Sequence, residues 1–390
     1  MKRCKILERT VVMQKADSAH NYFGWPSIAK LSDGTLLAGA SGFRIDHVCP
    51  FGKAVLSVSR DEGKTWSAPS PVIDTPLDDR DLGLLVYGDD RVICTSFNNS
   101  VEFQRLWLSW REENLKKMEG EQAKREAAAQ AYVRAYLDYV DVFYPNHDDF
   151  YGSTFRMSDD GGKSWGELKY SPITCPHGPL ATKDGRVIYI GTPMADIKRK
   201  AADPRIRAYE ILPDGSMTAL GIIPPIFDEY GEITACEPHA IELANGDILV
   251  HIRAERRKCE HECFTIYQTV SADGGKTFPV PTPIVLENEG DVDKNFLGSP
   301  PHIMRHSSGA LLSLVGVRDG AVGVRVLKSV DEGGSWEVMV LTDDATSNDI
   351  GYPSTAELSD GSLYTVWYER PNENEPATIR GVRWRLPLTE

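Results

Sequence analysis

Four residues able to do chemistry share one offset. Trp25, Asp81, Glu237 and Tyr352 each stand eight residues ahead of a polar turn, at positions 33, 89, 245 and 360. The same offset from the turns at 184 and 308 gives Pro176 and Pro300. Beside these positions lie Arg80, His177, His239 and His302. After each turn the chain runs on to a second polar cluster: Arg44, Asp46, His47, Arg253, Arg318 and Glu369-Arg370. Carboxyls, imidazoles and a phenol move protons. A planar guanidinium grips a carboxylate through two parallel bonds, which a lysine does not. A Trp offers a flat apolar face for a sugar ring. Any one of these residues alone reads as half of a structural ion pair, but the full set on one face reads as a site.

The elements that must position them are hairpins. Each turn separates two apolar stretches, and the turns read Asp33-Gly34, Asp89-Asp90, Asp184-Gly185, Asn245-Gly246, Ser308-Gly309 and Asp360-Gly361. Asn-Gly and Asp-Gly between apolar runs are the strongest short hairpin signals. The turns lie 56, 95, 61, 63 and 52 residues apart. A period of that size with several strands per unit predicts a β-propeller. A solenoid fits less well, since no helix recurs. The fold class expected is all-β: one six-bladed β-propeller domain over residues 1–390. In each unit the first strand starts on one face and the second returns to it, so both polar clusters share a face near the axis.

The long interval holds a helical insertion, residues 101–147, within blade two. Leu106, Trp110, Leu115 and Met118, then Tyr132, Val133, Tyr136, Leu137 and Val140, recur at helical spacing around the Ala127–Ala131 stretch. It reads as a decoration packed on the rim. A lid, or a contact between copies of the chain in a homo-oligomer, is the sharper reading.

A second motif supports the first. Ser59-Arg60-Asp61-Glu62-Gly63-Lys64-Thr65-Trp66 follows the form S-x-D-x-G-x-[ST]-[WF], as do Ser158 to Trp165, Ser271 to Phe278 and Ser329 to Trp336. The Asp accepts backbone N–H groups, the Gly gives the turn its freedom, and the aromatic packs on the blade. Each copy is expected after the second strand of its unit, joining the two outer strands.

These four copies resemble the Asp boxes of the sialidase superfamily, whose members are six-bladed propellers, and the resemblance spans essentially the whole chain. It implies roles for residues already singled out. Tyr352 is carried over as nucleophile, Glu237 as its base, and Arg253 and Arg318 as clamps on a substrate carboxylate. Asp46 takes the place of the acid/base Asp, and Asp81 that of a substrate-contacting Asp. The family's first Arg stands in an Arg-Ile-Pro stretch; here Gly24-Trp25-Pro26 replaces it, leaving Arg44 or Arg80 to supply the missing cation and Trp25 to stack on a sugar. His47, His177, His239 and His302 join the substrate-binding set, with His47 or Asp46 as proton donor to a different glycoside. The chemistry is coherent, because a neutral Tyr with a Glu base avoids the repulsion between an anionic nucleophile and the carboxylate of a keto-acid sugar. The implied activity is a retaining exo-glycosidase acting on a terminal acidic, sialic acid-like sugar. The alternatives are hydrolysis of another glycoside, a carbohydrate-binding propeller without catalysis, and an interaction scaffold using the insertion.

Composition limits the partners. The 390 residues carry 43 Lys+Arg against 57 Asp+Glu, a net charge of −14. Nucleic acid and anionic membrane surfaces both call for a basic face, so the expected partner is a carbohydrate. No apolar run approaches a membrane span. The seven scattered cysteines fit free thiols, and no apolar stretch follows the basic start, so a cytoplasmic setting is expected. No cofactor is expected, since no phosphate loop opens a helix after a strand. No metal is expected either. His177, His239 and His302 form no compact ligand motif, and Cys259-Glu260-His261-Glu262-Cys263 has no second ligand pair nearby.

Overall fold

Around Asp33-Gly34 the strands Tyr22–Lys30 and Leu36–Arg44 pair antiparallel, with Lys30 opposite Leu36 and Gly34 at φ 88°. The same hairpin recurs in a computed structural model that describes residues 1–194, 203–256, 260–287, 298, 300–372 and 375–387. Among the described residues there are six antiparallel sheets, four of four strands and two of five. They form a six-bladed propeller. The inner strands of blades one, two, four, five and six are Tyr22–Lys30, Asp78–Tyr87, Gly231–Glu242, His302–Arg305 and Ile350–Glu357. In blade three the corresponding edge is split between Ile173–Thr174 and Leu180–Ala181, both paired to Val187–Pro193. The amino-terminal strand Lys5–Met13 is the outermost strand of blade six, paired to Thr378–Arg385, so the ring is closed by the two ends of the chain.

The core lies between blades. Strands there are buried on both faces and read as continuous apolar runs: every residue of Leu311–Val317 is buried. Trp336 seals one such interface, fully buried with Leu249, Ile266, Leu311 and Val338.

The Asp boxes hold the outer turns. Asp61 Oδ1 accepts from Thr65 N at 2.9 Å, its Oδ2 accepts from the Thr65 hydroxyl at 2.6 Å, and the Ser59 hydroxyl accepts from Gly63 N at 2.9 Å. Asp160, Asp273 and Asp331 repeat the pattern. The boxes lie one strand further out than expected: Ser59 ends the third strand, Lys53–Ser59. They still join the two outer strands.

The insertion falls between the second and third strands of blade two, Arg91–Asn99 and Ser153–Ser158. Its helices are α1, Val101–Leu115, and α2, Gly120–Phe143. The Ser100 hydroxyl caps α1 by accepting from Phe103 N. Leu108, Val133, Leu137 and Val140 pack on Leu77 and Val101, with Ile45 and Phe51 of the blade-one loop against them. The helices therefore sit on the rim of blades one and two, on the side where the polar clusters gather. Among the described residues no helix is long and apolar enough to cross a membrane.

Candidate active site

The shared offset has a backbone cause. Trp25, Asp81, Glu237 and Tyr352 all adopt a left-handed conformation, with φ of 55°, 53°, 47° and 57°. Each sits where the pairing register slips, between Gly24 and Ser27, Arg80 and Gly83, Cys236 and His239, and Gly351 and Ser354. A bulge with a left-handed residue re-aims a side chain out of the sheet's alternation. For a residue with a Cβ this costs on the order of 1–3 kcal/mol. Four blades carry the same outlier at the equivalent position. Blades three and five carry Pro176 and Pro300 there, and a pyrrolidine ring locks φ near −65°.

The bulges bring Tyr352 and Glu237 together across the ring. Tyr352 Oη donates to Glu237 Oε1 at 2.6 Å. Burial, then the charge of Glu237, pushes the Tyr352 phenol well above its usual range, against the opposing pull of Arg253 and Arg318. Arg253 bonds the other oxygen of Glu237 through Nη1 and Glu255 through Nη2 at 2.9 Å. It was expected to clamp a substrate; its guanidinium instead holds the carboxylate that meets Tyr352.

The expected cations separate into two kinds. Arg44 is fully buried, paired to Asp78 and bonded to the Ser41 hydroxyl and the Asp79 and His47 carbonyls. This corrects its place among the substrate contacts: it is a structural cation. Arg80 lies with its guanidinium carbon 4.0 Å from the centre of the Trp25 ring and donates to the His47 carbonyl. Arg318 donates from Nε to Ile350 O at 2.7 Å and from Nη2 to Tyr368 Oη at 3.2 Å, and its Nη1 makes no hydrogen bond among the described residues. Both Arg80 and Arg318 act electrostatically on His47 and Tyr368. Trp25 therefore carries a guanidinium on its face rather than presenting it bare to a sugar.

Asp81 is buried beside this group. Desolvation raises its carboxyl to about 7, with Arg80 pulling it down and Glu237 pushing it up. Asp46 faces the insertion, its Oδ2 3.1 Å from Arg111 Nη1 of α1. The His47 ring packs edge-on to Trp25 at 4.9 Å and stacks with Trp107 of α1 at 6.0 Å. Desolvation, then Arg80, Arg44 and Arg318, holds this imidazole well below its usual range.

His177, His239 and His302 converge, with ring centres 4.6 to 5.7 Å apart, and His177 lies 6.3 Å from the Tyr352 ring. All three are buried. Burial lowers the His239 imidazole to about 4, and burial with the neighbouring imidazoles holds the other two well below their usual range. His239 Nδ1 accepts from Ile303 N at 3.0 Å. The trio is thus a neutral, packed floor rather than part of the open rim. Among the described residues no group of three or more His, Cys, Asp or Glu is arranged to hold a metal.

Three contributors escaped the sequence reading. Tyr368 bonds Arg318 and lies 6.0 Å from Tyr352, ring to ring. It directly precedes the Glu369-Arg370 pair, so the end of that strand was the available signal. Trp107 and Arg111 stand four apart on one face of α1, a spacing that pairs a stacking ring with a cation. Elsewhere, His261 stacks on Tyr230 at 3.7 Å and Arg256 pairs with Asp228. Arg257, Lys258 and Cys259 of that loop lie outside the described residues.

Comparison with solved structures gives the fold its relatives. A protein of unknown function from Dyadobacter fermentans is 20% identical, with a TM-score of 0.72 over 99% of this chain and 100% of that one. The NanB sialidase of Streptococcus pneumoniae is 14% identical, with a TM-score of 0.65 over 97% of this chain and 70% of that one. The α-L-arabinanase of Penicillium chrysogenum is 12% identical, with a TM-score of 0.61 over 97% of this chain and 99% of that one. No curated protein matches by sequence. The BNR repeat-like domain family matches residues 139–365. That match covers more than half of the sequence and includes three of the four Asp boxes, so the chain belongs to the BNR repeat-like domain family.

Proposed function

We propose that the protein is a retaining exo-glycosidase acting on a terminal acidic sugar. The observation that carries this reading is the 2.6 Å contact between Tyr352 Oη and Glu237, with Arg80 and Arg318 gathered around the same aromatic wall. The phenol is neutral, so an approaching carboxylate is not repelled by it. As Tyr352 Oη attacks the anomeric carbon, its proton passes to Glu237. The glycosidic C–O bond breaks with its electron pair on the leaving oxygen, which takes a proton from Asp46. In the second half a water gives a proton to Asp46 and its oxygen to the anomeric carbon. The tyrosyl ether bond breaks, and Tyr352 recovers its proton from Glu237. Two displacements retain the anomeric configuration. Arg253 positions Glu237, while Arg80 and Arg318 hold the substrate carboxylate bidentately.

A second reading is hydrolysis of a neutral sugar. It is favoured by the arabinanase and arabinofuranosidase among the structural neighbours, and by the Arg80 guanidinium packed on Trp25.

A panel of aryl glycosides (sialoside, glucuronide, arabinofuranoside) separates the two. Tyr352→Phe is expected to lower kcat by about 10²–10⁴-fold on the hydrolysed member. Asp46→Ala is expected to depress turnover most where the leaving group is poor. Unchanged turnover in both variants would overturn the assignment of roles. Turnover of the arabinofuranoside alone would select the second reading.

A further inference from the structure

The insertion does more than cover the rim. Between α1, α2 and the blade-one loop lies a cavity of about 760 Å³, and Asp46 forms part of its wall. Asp46, the residue proposed to protonate the leaving oxygen, thus lines one wall of the cavity, and the two helices supply most of the rest. Its lining combines three kinds of group. Arg111, Arg125 and Arg370 bring positive charge, against the carboxylates of Asp46 and Glu126. Asn21, Asn114 and Gln122 bring amides. Tyr132, half exposed and stacked on Phe51 at 4.6 Å, brings a fixed aromatic face.

The charges are not equivalent. Arg111 is committed, bonding Glu126 through Nε and Nη2 at 2.7 and 2.8 Å and Asp46 through Nη1 at 3.1 Å. Arg111 thus cancels the two carboxylates in part, and Arg125 has no ion-pair partner among the described residues. A cationic, amide-lined pocket with an aromatic wall is unusual on a protein of net charge −14. Amides meet hydroxyls, an aromatic face meets the C–H face of a pyranose, and a guanidinium meets a carboxylate.

We infer that this cavity is the subsite for the leaving-group side of the substrate, and that it takes a sugar residue bearing a carboxylate, such as a uronic acid. The inference rests on the glycosidase reading for its orientation but not for its chemistry. Arg125 and Tyr132 hold the anionic sugar, and Arg111 ties the subsite to Asp46. A substrate spanning both sites has its scissile oxygen at Asp46.

The test pairs kinetics with direct binding on the full chain. Two substrates share the same terminal sugar, one with an aryl leaving group and one linked to glucuronic acid. In Arg125→Ala the ratio of kcat/KM for the glucuronic acid-linked substrate to that for the aryl glycoside is expected to fall at least tenfold. Separately, methyl glucuronide is titrated into Tyr352→Phe protein, and into the same protein carrying Arg125→Ala or Tyr132→Ala. Binding is expected in the first and a weakening of at least tenfold in the others. Methyl glucoside, which lacks the carboxylate, is expected to bind at least tenfold more weakly than the glucuronide. A kinetic ratio unchanged within twofold together with no glucuronide binding overturns the subsite. Arg125-dependent glucuronide binding without turnover of any glycoside keeps the subsite and removes the glycosidase reading.

Discussion

At the scale of single residues, charge and burial are set against each other around Asp81. Burial holds its carboxyl at about 7 in the folded chain, against an ordinary value of 3.8. The folded state keeps this proton over a range in which the unfolded chain has already lost it. The stability linked to the group is therefore complete below about pH 4 and falls as pH rises through 7, by about 1.4 kcal/mol per unit. Asp79, also raised to about 7 by burial, acts in the same direction. Asp81→Asn is expected to flatten part of the fall in Tm between about pH 5 and 7.5. Identical slopes in the two proteins would show that the carboxyl does not titrate there. Residue type and offset were enough to place Glu237, Tyr352, Asp81 and Trp25 at one shared strand position, because the offset counts back from a hairpin that is itself readable. They did not reveal that Arg44 is spent on Asp78 or that Arg253 is spent on Glu237. A strand end locates where a side chain starts but not its partner: Asp78 comes to Arg44 from the next blade, and Glu237 comes to Arg253 from the adjacent strand only because a bulge turns it there.

At the scale of elements, the hairpins and Asp boxes were legible because their signals are short and local. The extra strand between hairpin and box was not announced by any turn of its own. The boxes are also not equal in weight. Trp336 is fully buried between blades, with its indole N–H donating to Gln268 Oε1 at 3.1 Å, whereas Trp66 is only partly buried. Trp336→Ala is expected to cost about 3–5 kcal/mol, the range for deleting a large core aromatic. Trp66→Ala is expected to cost less. Urea unfolding of both variants checks the order, and equal losses would contradict the burial difference. The insertion shows the opposite limit of legibility. On α2 the apolar stripe packs against the rim through Val133, Leu137 and Val140, but on α1 the phase differs: Leu108 is buried while Trp110 is exposed. The polar face of α1, with Trp107 and Arg111, reaches His47 and Asp46 only through the tertiary arrangement.

At the scale of the whole molecule, closure depends on the first strand. Lys5–Met13 completes the sixth blade, and Val12 and Met13 enter the core cluster that includes Trp25 and Tyr352. Deleting residues 1–13 is expected to lower Tm by several degrees and to loosen Tyr352 along with the blade. Hydrogen exchange over Ile350–Glu357 reports this directly, and unchanged protection there would place closure elsewhere. Within the closed ring, the left-handed positions have a wider consequence. Six similar units offer six seats facing the axis, and a single backbone dihedral decides which are occupied. Proline at 176 and 300 keeps two of them out of the left-handed region, and at 176 the inner strand is split around it. Four blades thus turn a bulged side chain toward the axis and two do not, so a ring of similar units acquires an uneven inner rim.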